Sequence, residues 1–350
     1  MENSVHSGRG ALTNPKNKYS IAQTLKVHQE GIDDFEDSLP RTTFFNEYPK
    51  SIISRNSSPD IPFELSINPY QGCEHGCVYC YARESHQYWG YSAGLDFESK
   101  ILVKHNAADL LEKAFLNPKW KVEPIMLSGN TDPYQPAEKR YKLTRKILKT
   151  CLKFRNPVSI ITKNSLILRD LDILKELARM NLVNVMVSIT SLNESLRRNL
   201  EPRTATASKR LKVIESLSKE GVPVGVMIAP VIPGLNMTEI PNIVKAAAGA
   251  GAMEISHTML RLNGPIEDIF RRWIMAVYPD RAEKVLNQVQ ATHGGKVSDN
   301  RFMKRMLGEG RVAEMASQML KTASKQYSNL TGFPVLDRKM FRRGGMYTIW

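Results

Sequence analysis

From Phe63 onward, short apolar runs alternate with longer segments in which apolar residues recur every three or four positions. The runs at 63–67, 124–127, 158–162, 183–189, 222–229 and 253–260 predict six strands, several rich in Val and Ile. Between them the helical period predicts helices over 107–115, 136–153, 168–180, 205–220 and 238–248, and another from Ile266. Asn106 stands where an N-cap belongs, and Pro136 opens the longest helix.

Strands that alternate with helices imply right-handed βαβ units and a parallel sheet. Six such units suit a partial (β/α)6 barrel or a doubly wound sheet, and in either the chemistry belongs at the C-terminal ends of the strands. Residues 1–59 read as an irregular arm. Ser7-Gly-Arg-Gly10 and Asn14-Pro-Lys-Asn17 are rich in breakers, and 31–39 form an acidic patch. Residues 60–295 form the core. Residues 296–350 form a helical extension, with a helix over 311–325 and a basic tail containing Arg338, Lys339, Arg342 and Arg343.

Composition adds three constraints. With 350 residues, 42% of them hydrophobic, the chain can fill a large α/β core. The longest apolar run, 222–235, is interrupted by Pro223, Pro230 and Pro233 and is too short to span a bilayer. With no apolar stretch at the N-terminus, the expectation is a soluble cytoplasmic protein. The net charge of +14 points to an acidic partner, nucleic acid before others; the alternative is a solvated basic surface.

Three of the four cysteines fall in Cys73-Glu-His-Gly-Cys77-Val-Tyr-Cys80, directly after the first strand of the core. Clustered cysteines in a reducing compartment indicate metal rather than disulfides. Three thiolates suit a 4Fe–4S cluster with one iron left open to a substrate. The competing reading is zinc, which wants four ligands, with His75, His86 or Cys151 as the fourth.

C-x3-C-x-aromatic-C is similar to the signature of the radical SAM superfamily, with Tyr79 in the aromatic place. The wider run from Ser66-Ile-Asn-Pro-Tyr-Gln-Gly-Cys73 to Tyr81-Ala-Arg83 resembles the branch of spore photoproduct lyase. The resemblance implies a partial (β/α)6 barrel and a 4Fe–4S cluster on Cys73, Cys77 and Cys80. It also implies that S-adenosylmethionine is cleaved reductively to a 5′-deoxyadenosyl radical, with an electron donor such as flavodoxin or ferredoxin. Tyr79 would lie near the adenine. Gly129, Thr131 and Asp132, in Ser128-Gly-Asn-Thr-Asp132 after the second strand, would receive the methionyl amino group. Lys163 after the third strand would meet the carboxylate, Ser188 at the end of the fourth the ribose, and Arg203 just beyond it a carboxylate again. The apolar residues at 227–230, closing the fifth strand, would pack on adenine.

One position departs from that branch. Spore photoproduct lyase carries a hydrogen-donating cysteine at the end of strand two, where this chain has Gly129. The fourth cysteine, Cys151, shares an apolar helix face with Leu143, Ile147, Leu148 and Leu152 and reads as a core residue. The same helix carries Lys139, Arg140, Lys142, Arg145, Lys146, Lys149 and Lys153, a stripe that suits either phosphates or a wet outer face. His75 reads as a support within the cluster loop, His86 and Tyr88 as cover for the cluster, and His257 as a satisfied core histidine. The expected function is a radical SAM enzyme of unassigned catalytic residues acting on an unknown substrate, nucleic acid leading. The competing expectation is a non-catalytic nucleic-acid-binding protein stabilised by zinc or a cluster.

Overall fold

The computed structural model describes residues 8–19 and 41–344. The acidic patch at 31–39 lies outside the described residues. In chain order the elements are β1 (Thr43–Glu47), β2 (Ile53–Arg55), β3 (Leu65–Ile67), β4 (Tyr70–Gln71), α1 (Leu95–Ser99), β5 (Lys100–Lys104), α2 (Ala107–Leu116), β6 (Ile125–Leu127), α3 (Ala137–Tyr141), α4 (Leu143–Phe154), β7 (Val158–Thr162), α5 (Leu171–Arg179) and β8 (Val183–Ser188). They continue with α6 (Glu194–Leu200), α7 (Ala207–Lys219), β9 (Val224–Val231), α8 (Ile240–Gly249), β10 (Glu254–Met259), α9 (Pro265–Val277), α10 (Pro279–Ala291) and α11 (Gly310–Ser324).

Six strands, in the order β3-β6-β7-β8-β9-β10, pair in parallel, and β2 adds an antiparallel edge to β3. β10 and β3 do not pair, so the barrel is partial. Side chains alternate across each strand. Leu65, Ile67, Ile125, Leu127, Val158, Ile160, Val183, Val185, Val224 and Val226 share one core with the apolar faces of α2, α4, α5, α7 and α8. The intervening positions, such as Ser66, Ser159, Asn184 and Ser256, fall on the concave face.

Some local expectations change. Residues 43–47 and 53–55, inside the stretch expected to be irregular, are strands: β1 pairs with β5 in a small side sheet and β2 joins the main one. Asn106 does not cap α2; its amide donates to the Pro49 carbonyl at 3.2 Å. The helix expected over 136–153 breaks at Lys142, which has φ 54°. The free N–H groups that open α4 are met by the buried Glu138 carboxylate, which accepts from Thr144 N at 3.0 Å, from Tyr70 Oη at 2.5 Å and from Arg169 at 2.6 Å. The helix expected over 168–180 begins with a tighter turn over Ser165–Asp170 before α5.

Beyond α11 the chain crosses the N-terminal ends of the strands in reverse order. Gly332 N donates to Met253 O at 2.9 Å, Asp337 N to Asn181 O at 2.9 Å and Arg342 N to Phe154 O at 2.9 Å. The basic tail is therefore built into the base of the barrel, with Arg338 paired to Glu123 at 2.8 Å and Arg343 on the Asn117 carbonyl.

Candidate active site at the cysteine loop

β3 ends at Ile67 and delivers the chain to the cysteine loop at the C-terminal end of the sheet. The loop is fixed from three sides. Cys73 N donates to Phe97 O at 2.8 Å, Val78 N to Leu200 O at 3.1 Å, and Glu74 N to the Gln135 side chain at 3.0 Å. Cys73 and Cys77 are buried and Cys80 is half-buried. Below them lies the buried pair Arg83–Glu98, whose guanidinium also donates to Cys77 O at 2.9 Å. Such a pair is costly to desolvate and is held by its bonds to the loop.

The donor set fits a cluster. Burial pushes all three thiols up, and for Cys73 nearby Asp132, Cys77 and Cys80 add to the effect. A bound metal cation would hold them as thiolates. A structural zinc would need a fourth ligand beside the three thiols. A cubane takes each thiolate at a separate corner. The fourth zinc ligands considered lie in other surroundings. His75 faces Asp132 at 3.4 Å and Asn164 at 3.1 Å, His86 packs on Phe97 and Tyr91, and Cys151 lies in the main core.

The structure brings the residues expected after strands two to four to this same end. The exit from β6 is sharp, with Ser128 at φ 121° and Gly129 at φ 97°. A side chain at 129 would meet only ordinary contacts, to Ser66 at 3.6 Å and Phe63 at 3.9 Å, so conformation rather than space selects glycine. Gly129 O accepts from the Tyr81 hydroxyl at 2.5 Å. The Thr131 hydroxyl donates to Tyr70 O at 2.9 Å. Asp132 is engaged by the protein itself, by Thr162 Oγ1 at 2.8 Å, Lys163 N at 2.7 Å, Tyr134 N at 2.8 Å and His75. Burial alone would raise its pKa, but these donors and His75 lower it. Asp132 thereby ties strand two to strand three and to the cluster loop.

Lys163 Nζ lies 3.9 Å from Glu201, and Ser188 is buried at the end of β8. Arg203 donates its backbone N–H to His75 O at 3.3 Å and holds its half-exposed side chain 3.7 Å from Glu74. Tyr79 turns its hydroxyl to Glu201 and Thr190.

Sequence reasoning missed Glu201 and its partner Arg210. Glu201 is fully buried and accepts from Thr190 Oγ1 at 2.5 Å, from Tyr79 and from Arg210. Burial would raise its pKa; Arg210, Lys163 and the two hydroxyls prevail and hold it at about 2. The available signal was Arg210 itself, a cation on the same face of α7 as Val213, Ile214 and Leu217.

The Radical SAM superfamily model matches residues 67–247, slightly more than half of the chain. The chain belongs to the radical SAM superfamily. It is an enzyme, and it uses a 4Fe–4S cluster and S-adenosylmethionine. It is 34% identical over 241 residues to the uncharacterized protein Rv2578c of Mycobacterium tuberculosis, covering 68% of this chain and 71% of that one. It is 35% identical over 169 residues to the uncharacterized protein MJ0683 of Methanocaldococcus jannaschii, covering 48% and 61%. Its fold resembles spore photoproduct lyase complexed with dinucleoside spore photoproduct, with a TM-score of 0.59 at 15% identity over 82% of this chain and 80% of that chain. Among the described residues no helix is long and apolar enough to cross a membrane.

Proposed function

We propose that this radical SAM enzyme cleaves S-adenosylmethionine reductively at a cluster on Cys73, Cys77 and Cys80 and turns the resulting radical on a nucleic acid. The bound cofactors supply the difficult bond cleavage. The chain's own part is to bind, orient and exclude water. Gly129 and Thr131 offer a carbonyl and a hydroxyl to the methionyl ammonium, and Asp132 fixes their loop. Lys163 and Arg203 meet the carboxylate, and Ser188 the ribose. The Tyr79 ring packs beside the adenine while Glu201 holds its hydroxyl. A small one-electron donor such as flavodoxin or ferredoxin supplies the electron, in the cytoplasm, where the thiols stay reduced.

The nucleic-acid reading rests on one observation: exposed rings interleaved with cations beside the cluster loop. The turn that follows Cys80 ends in Tyr88 and Trp89, 70% and 42% exposed. Tyr88 stacks on Tyr19 at 4.9 Å, and Phe45 meets Tyr91 at 5.8 Å. Tyr48, 68% exposed, stacks on His105 at 5.8 Å. Lys18 lies 5.0 Å from the Tyr19 ring and Lys100 4.9 Å from the Tyr91 ring. Rings that stack on bases beside cations that meet phosphates are what a single strand requires. Lys18 and Lys100 are ion-paired, to Glu84 at 2.6 Å and Asp96 at 3.2 Å, as are Arg145 and Lys153 of the α4 stripe, so it is the exposed rings that favour this surface over α4.

The test pairs two measurements on protein reconstituted with iron and sulfide without oxygen. Reduction in the presence of S-adenosylmethionine should release 5′-deoxyadenosine. Labelled single-stranded oligonucleotides should bind with an affinity that falls steeply with salt. Release without binding would direct the search to a protein or small-molecule substrate.

A further inference from the structure

Residues 8–17 lie outside the region matched by the superfamily model, yet they rest on the cluster loop. Gly10 sits so close to Gly76, between Cys73 and Cys77, that a Cβ on Gly10 would come within 1.8 Å of Gly76 O. From the other side, a Cβ on Gly76 would meet Glu98 Oε2 at 2.8 Å. Two glycines and a carboxylate therefore share a space that admits no side chain.

The polar contacts follow the same line. Gly10 N and Ala11 N donate to the two oxygens of Glu98 at 3.0 and 2.8 Å, and Arg9 donates to Glu98 O at 2.6 Å. Glu98 pairs with Arg83, and Arg83 holds the Cys77 carbonyl. A continuous path of charge-assisted bonds runs from the arm to a ligand residue. Further along, the Ser92 hydroxyl donates to Pro15 O at 2.6 Å, and the Asn17 amide to Gln87 O at 2.9 Å and Tyr91 O at 3.0 Å. Ala11 is fully buried.

We propose that residues 8–17 are a strap that locks the cysteine loop in its cluster-holding form and keeps water from its Cys73–Cys77 side. The strap acts through Glu98 and Gly76, so its residues are positioning residues. The inference rests on the assignment of the cluster to Cys73, Cys77 and Cys80.

The test uses the full chain with Gly10→Val, and with Gly249→Ala as the control, since nothing lies within 4 Å of a Cβ at Gly249. Two readouts are needed: proteolysis of the metal-free protein at 8–19, and the rate at which reconstituted protein loses iron to a chelator. In Gly10→Val, cleavage within 8–19 should appear and iron loss should quicken by about tenfold or more, with far-ultraviolet circular dichroism unchanged. The control should match the wild type. If Gly10→Val is insoluble, Arg9→Ala with Asn17→Ala removes only anchors and should quicken iron loss by about threefold. Wild-type iron retention in a variant whose strap is cleaved freely would overturn the proposal. A wild-type chain that takes up no cluster would instead overturn the cluster assignment, a separate failure, because strap docking is read on metal-free protein.

Discussion

The Tyr79 hydroxyl donates to Glu201 Oε1, tying the residue just before a cluster ligand to a buried carboxylate just beyond α6. The other oxygen of Glu201 takes the Arg210 guanidinium. Removing one member of a buried pair leaves the other charge without its partner, at a cost of about 3–5 kcal/mol. Glu201→Ala is therefore expected to lower stability by that order and to reduce iron content after reconstitution. Glu201→Ala with Arg210→Met should cost less than Glu201→Ala alone. Urea unfolding of the three metal-free proteins checks both orders; equal stability of Glu201→Ala and wild type would refute the first.

The same carboxylate sets an acid limit. Its pKa is held at about 2, against an ordinary value of 4.5. A group whose pKa is lowered by folding binds protons more readily when unfolded, so its contribution is complete above pH 4.5 and is lost as pH falls towards 2. The amount at stake is on the order of a few kcal/mol. Metal-free wild type should lose stability across that window more steeply than Glu201→Gln. Parallel pH profiles of the two would assign the acid sensitivity elsewhere.

Much of this site was legible because its chemistry is local in sequence. The three cysteines fall within eight residues, and Gly129, Thr131 and Lys163 follow, and Ser188 ends, a strand whose apolar run is plain. The βα rhythm was enough to bring those strand ends together. What escaped was long-range or conformational. Glu98 and Glu201 look like ordinary surface carboxylates in sequence, and only the fold buries them against Arg83 and Arg210. The break at Lys142 leaves no glycine or proline to mark it, because the alternative is stabilised by Glu138. The arm read as irregular because β1 pairs with β5 far along the chain, and because an edge strand as short as β2 carries little period of its own.

The four cysteines should separate cleanly. Cys73→Ala, Cys77→Ala and Cys80→Ala each remove one ligand and are expected to abolish the cluster's visible absorption and the release of 5′-deoxyadenosine. Cys151 packs in the main core beside Ile147, Leu148 and Phe154, where burial pushes its thiol up to about 12. Cys151→Ala should keep iron and sulfide content and cost only about 1 kcal/mol of stability. Loss of the cluster in Cys151→Ala would reopen the question of a fourth ligand.

The base of the barrel offers a test of the C-terminal segment. Phe333 enters the sheet over Gly225, where a Cβ would meet Phe333 Cζ at 2.9 Å, Met186 Sδ at 2.8 Å and Glu254 O at 2.8 Å. Phe333 N also donates to Glu254 Oε2 at 3.3 Å, so ring and backbone seat the tail together. The ring fills space that an open sheet leaves uncovered. Phe333→Ala, at a partly buried site, should cost about 2 kcal/mol, and Gly225→Ala should also destabilise by crowding. Because both act on one space, the double variant should cost less than the sum of the two, with a coupling of about 1 kcal/mol. Neither change should alter oligonucleotide binding, since the rings and lysines proposed for that role lie beside the cluster loop, at the opposite ends of the strands. Additive costs would show that Phe333 and Gly225 are independent, and reduced oligonucleotide binding would move the nucleic-acid surface to the tail.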